Sequence, residues 1–144
     1  SGWGDNPQID ILGSRDAPRL PVFSFRVTAP DGVPVHQQLF TRMLSDIYGI
    51  QARGGCACAG PYAHRLLGID RAESEVLRDG LRVGRELLKP GWVRLNFSYM
   101  MSEETVRYII DSVTELAARA PRYTTLYEAD PATARFRLRG AAAA

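Results

Sequence analysis

The sequence predicts an α+β domain in which a mainly antiparallel sheet is covered by helices on one face. Three observations carry that expectation. Segments of period two and segments of period 3.6 succeed one another in the order strand, strand, helix, strand, helices, strand, helix and a hairpin-like end. The best of the extended segments alternate apolar and polar residues, the pattern of a half-buried strand. A chain of 144 residues, 45% of them hydrophobic, suits one compact domain with a real core, and no second domain is needed.

The elements follow in chain order. Ile9 to Leu12 reads as a short strand ended by Gly13, with Ser-Arg-Asp-Ala-Pro as a turn. Leu20 to Val27 alternates, with Val22, Ser24 and Arg26 on one side and Phe23, Phe25 and Val27 on the other. Pro30, Gly32 and Pro34 then break the chain. From His36 to Tyr48, Leu39, Phe40, Met43, Leu44 and Ile47 recur at helical spacing, and Gly49 stands where a helix stops. Ile50 to Arg53 is a short extended piece, and Ala63 to Leu67 a brief helix ended by Gly68. Asp70 caps a second helix running through Glu73, Val76, Leu77, Leu81 and Leu87, weakened at Gly80 and Gly84 and stopped by Lys89-Pro90-Gly91. Trp92 to Phe97 alternates as a strand, Val93, Leu95 and Phe97 against Trp92, Arg94 and Asn96. Ser102-Glu-Glu-Thr opens the clearest helix, lined on one face by Val106, Ile109, Ile110, Val113, Leu116 and Ala117, with Pro121 placed past its end. Tyr123 to Glu128 and Ala134 to Leu138 are strands around an Asp-Pro-Ala-Thr turn.

Composition narrows the function classes. The 18 basic and 16 acidic side chains give a formal charge of +2 with neither sign gathered into a block, which argues against nucleic acid and membrane binding. No apolar run approaches the length of a membrane span, and Ser-Gly-Trp-Gly-Asp-Asn-Pro lacks the charged start and apolar centre of a signal peptide. Two cysteines separated by one residue make no disulfide framework, so a reducing, cytoplasmic setting is expected. Residues 3–140 read as the ordered domain and Ala141 to Ala144 as a tail.

The chemistry-bearing stretch is Ile50 to Tyr62, which holds Cys56 and Cys58 beside Arg53, Gly54 and Gly55. A thiol reacts as its thiolate, which a nearby cation or inward-pointing N–H groups stabilise. Arg53 supplies the charge, and the glycines permit the positive φ values that such an anion-binding concavity uses. Other readings remain open at this level. Both cysteines suit a buried core. A zinc site from Cys56, Cys58, His64 and His36 matches no standard spacing, so no metal is expected. His64 reads first as a polar residue on a short helix and second as a general base. Arg71, Arg78, Arg82 and Arg85 recur at near-helical spacing, as a solvated face or a basic surface for an acidic partner.

Arg53-Gly54-Gly55-Cys56-Ala57-Cys58-Ala59 resembles the cysteine-bearing segment of class V aminotransferase-like enzymes, the cysteine desulfurase and selenocysteine lyase group, which use pyridoxal phosphate (PLP). Asp16 to Val27 is similar to the strand that opens their small C-terminal domain. His36 to Arg53 is similar to the helix and strand before their cysteine, and Trp92 to Tyr99 with Ser102-Glu-Glu to their arginine-bearing strand and last long helix.

The resemblance implies a fold, a reaction and roles. The fold is the small C-terminal domain of a fold type I PLP enzyme, and the cofactor is the electron sink. By register Cys58 is the nucleophile that attacks substrate sulfur and carries it as a persulfide. Cys56, two residues from it, is a candidate accessory thiol for resolving an oxidised or persulfidated Cys58. Arg94 matches the carboxylate-binding arginine, with Arg53 a second candidate beside it. The Schiff-base lysine, phosphate loop and pyridinium-pairing aspartate of the large domain have no counterpart in this sequence, and Lys89, the sole lysine, lacks their context. The chain therefore resembles the C-terminal part of an enzyme about three times as long, inactive alone. The implied partners are a large PLP-binding domain of the same chain, a second subunit in a homodimer, an amino-acid substrate and a sulfur acceptor protein. The alternatives are a class V aminotransferase that does not use Cys58, and a free-standing thiol carrier or protein-binding module.

Overall fold

A computed structural model describes residues 3–14, 16–55 and 60–140. The sheet is antiparallel throughout and its principal strand order is β1-β2-β5-β4. These are Ile9–Ile11 (β1), Val22–Thr28 (β2), Arg53–Gly55 (β4) and Trp92–Asn96 (β5). A two-residue strand, Pro34–Val35 (β3), pairs with the far end of β2, where the sequence predicts only a break. Pro34 is compatible with that place because an edge residue need not donate to the ladder. The helices are Gln37–Tyr48 (α1), Gly60–Leu67 (α2), Arg71–Arg82 (α3) and Glu103–Thr124 (α4), and Tyr127–Asp130 (β6) with Arg135–Leu138 (β7) forms a separate hairpin.

The pleat sorts the side chains as the alternation predicts. Phe25, Val27, Val93 and Leu95 are buried together with Leu39, Phe40, Met43 and Leu44 of α1 and Ile109, Val113, Leu116 and Ala117 of α4. Phe25 meets Phe40 edge to face, with ring centroids 6.2 Å apart, so one sheet face carries this helical layer. The other face presents Ser24, Arg26, Arg53 and Arg94, and Arg26 pairs with Asp10 of β1 at 2.7 Å. Trp92 also lies on this side and is buried, outside the main core cluster.

Several boundaries differ from the expectation: β4 runs Arg53–Gly55 where Ile50 to Arg53 is expected, α2 begins at Gly60 instead of Ala63, and the strand expected from Tyr123 begins at Tyr127 because Tyr123 and Thr124 are helical. Two helix ends differ for a clear physical reason. The second helix stops at Arg82 instead of continuing to Leu87, because Gly84 takes a left-handed φ of 80°, and a short 3-10 turn at Glu86–Leu88 follows. The last helix passes through Pro121 to Thr124. Proline removes the N–H that would reach the carbonyl of Ala117. That carbonyl instead accepts from Gln8 Nε2 at 3.2 Å, so the interruption leaves it bonded. Among the described residues no helix is long and apolar enough to cross a membrane.

Candidate functional site

The site is built on the junction of β4 and β5. Their register sets Arg53 opposite Arg94, Gly54 opposite Val93 and Gly55 opposite Trp92, and Ser24 of β2 continues the arginine row. Directly opposed residues share a sheet face, with Cβ atoms about 5 Å apart, where like charges repel. Arg53 is exposed and Arg94 half-buried. Among the described residues neither forms an ion pair with a carboxylate. Two opposed, unneutralised guanidinium groups make a fork suited to a planar carboxylate, which each can bind through paired N–H donors.

Gly54 and Lys89 are each held by a glutamine at the start of α1. Gln38 Nε2 donates to the carbonyl of Gly54 at 3.1 Å, and Gln37 Nε2 to that of Lys89 at 3.1 Å. The two glycines do different jobs. Gly55 has a left-handed φ of 120°, as expected of an inward-turning segment, whereas Gly54 has ordinary strand geometry. Gly54 is needed for space, since a Cβ there would lie 2.8 Å from the backbone oxygen of Gln37. The expectation of positive φ at both positions is thus corrected at Gly54. Sequence reasoning missed Gln37 and Gln38, because glutamines at a helix start look like ordinary solvated residues.

Cys56 and Cys58, the expected accessory and nucleophilic thiols, lie outside the described residues, as does the tail 141–144. Their segment begins directly after Gly55, two residues beyond Arg53. His64 does not join the arginines in the cleft it lines; that cleft, of about 440 Å³, also contains Leu77, Arg78, Leu81, Arg82 and Pro90. His36 has both ring nitrogens engaged. Nδ1 accepts from the N–H of Gln38 at 3.1 Å, capping α1, and Nε2 bonds the carbonyl of Leu87 at 3.2 Å. Burial holds its pKa below the usual 6.5, opposed in part by the Leu87 bond. A cleft of about 530 Å³ between α1 and the β6–β7 turn is lined by none of the sequence candidates.

The donor set fits a carboxylate and does not by itself fit PLP. Lys89, the only lysine, lies beside Glu86, with Nζ 3.8 Å from its carboxylate, while the arginine row offers cations and no amine. Comparisons of this chain with protein families, curated proteins and solved structures found no match.

Proposed function

We propose that this chain is the small C-terminal domain of a PLP-dependent class V aminotransferase-like enzyme, with cysteine or selenocysteine lyase chemistry as its reaction. The observation that carries the reading is the opposition of Arg53 and Arg94 on neighbouring strands, beside the start of the cysteine segment. In this reading PLP, held by a large domain of the same polypeptide, supplies the electron sink. The residues of this chain bind and orient. Arg94, with Arg53 beside it, would grip the substrate carboxylate, and the Cys58 thiolate would attack the substrate sulfur, whose bond to the β-carbon breaks, leaving a persulfide on Cys58 and alanine as the amino-acid product. A thiolate of a sulfur acceptor protein would then attack the outer sulfur and displace the Cys58 thiolate, with Cys56, two residues away in the chain, as an accessory thiol.

Exposed apolar residues also support a larger assembly. The N–H of Phe97 bonds the carbonyl of Pro21 at 2.8 Å, so Leu20, 77% exposed, leaves the sheet at the same end of the β2–β5 pair as Tyr99 and Met100, 96% and 79% exposed. Apolar surface of this kind marks an interface, in this reading with the large domain or a second subunit, and speaks against a free-standing carrier module.

The deciding measurement is the size and colour of the native polypeptide, isolated with an antibody against this domain. A product about three times as long, yellow and shifted in absorbance by an amino acid, is expected. A colourless product of 144 residues overturns the reading. In the intact enzyme, Cys58→Ala should abolish sulfur release and spare cofactor binding. Arg94→Ala should lower kcat/KM by about 100-fold or more. Full sulfur release from Cys58→Ala would assign the reaction to a class V aminotransferase that does not use this thiol.

A further inference from the structure

We propose that the cleft between α2 and α3 is a docking groove for an acidic amphipathic helix of a partner protein. The first observation is energetic. None of the twelve residues of α3 is fully buried and Ser74, Leu77, Gly80 and Leu81 are only half-buried, and a helix of that length is marginal in water without a well-packed face. The capping box of Asp70 and Glu73 and the exposed pair Arg71–Glu75, at 3.6 Å, hold its first turns. Each contributes little beside a packed apolar face.

The second observation is the shape of the face it offers. Leu77 and Leu81, one turn apart, line the 440 Å³ cleft together with Pro90 and His64 of α2. Arg78 and Arg82, also one turn apart, run beside them, and no carboxylate is among the lining residues. Asp79 meets Arg82 only at 3.8 Å on open surface, a pairing of small value that an incoming carboxylate can replace. An apolar row flanked by a cationic row is complementary to a helix carrying leucines four residues apart with glutamates beside them. The proposal rests on α2 and α3 alone and stands whether or not the arginines of β4 and β5 bind a substrate.

The test is fluorescence anisotropy on the full chain. The probe is a labelled helical peptide of about 16 residues with leucines at that spacing flanked by glutamate, and its control replaces every glutamate by lysine. Saturable binding of the acidic peptide alone is expected, weakened about tenfold or more by Arg78→Glu with Arg82→Glu and also by added salt. Both arginines are exposed, so the fold is spared, and Leu77→Ala gives a second, uncharged route to the same loss. Equal binding of both peptides, or no saturable binding up to about 1 mM, overturns the proposal. A solution dimer that the double arginine variant dissolves would assign the groove to a second copy and overturn it equally.

Discussion

His36 shows how much one side chain can carry. Its neutral ring accepts at Nδ1, bonds Leu87 through Nε2 and lies 5.1 Å from the ring of Phe136, so it ties α1 to the 3-10 turn and to β7. A second proton would destroy the cap and place a cation at the positive end of the helix dipole. The folded pKa lies below the unfolded 6.5, so the neutral ring's contribution is present above that value and is lost as the pH falls through the folded one. Thermal midpoints should therefore fall as the pH is lowered below 6.5, and His36→Asn, which caps without titrating there, should shrink that fall. An unchanged acid limb in the variant would refute this role. The sequence placed His36 at the start of the helix and as a poor zinc ligand, but these contacts were not legible in it, because Leu87 and Phe136 are distant in the chain. The arginine pair was half legible. Alternation gave the face of Arg94, whereas its opposition to Arg53 depends on a strand register that only the fold supplies.

At the scale of elements, α4 is the longest test of local rules. Its start at Ser102 follows from the capping residue and the acidic first turn, and the hydroxyl accepts from the N–H of Thr105 as expected. Its end does not follow, because a proline predicts a stop and Gln8 removes the reason for one. The two residues should therefore be coupled. Gln8→Ala should cost about 1–2 kcal/mol by leaving a buried carbonyl unbonded, and markedly less in a Pro121→Ala background, where residue 121 regains its N–H. Denaturant unfolding of the four proteins closes the cycle, and additive costs would disprove the coupling. The strands near the core were legible from alternation. β3 was not, since two residues carry no period and proline and glycine around them read only as a break.

For the molecule as a whole, burial divides the chain into unequal parts. The sheet, α1 and α4 share one core, whereas α3 contributes no fully buried residue to it. Amide exchange should reflect this, with α3 losing protection through local opening long before Phe40, Val93 or Leu116. Equal protection in α3 and α4 would contradict it. The architecture was readable because helices at both ends of the domain carry clear apolar stripes. The status of the α3 arm was not, since its stripe looks the same in sequence whether or not anything covers it.

That arm leaves the sheet after Gly55 and returns at Gly91, and the two backbones nearly touch there: a Cβ on Gly91 would lie 2.6 Å from the carbonyl carbon of Gly55. Departure and return thus share one doorway, kept open by the absence of a side chain. Closing a loop whose ends already meet depends only weakly on its length, so the chain between the two glycines can change in length without redrawing the sheet, provided the bonds from His36 to Leu87 and from Gln37 to Lys89 are kept. New specificity could be grafted onto an unchanged framework through that single doorway, and Gly91 is the residue such grafts would have to keep.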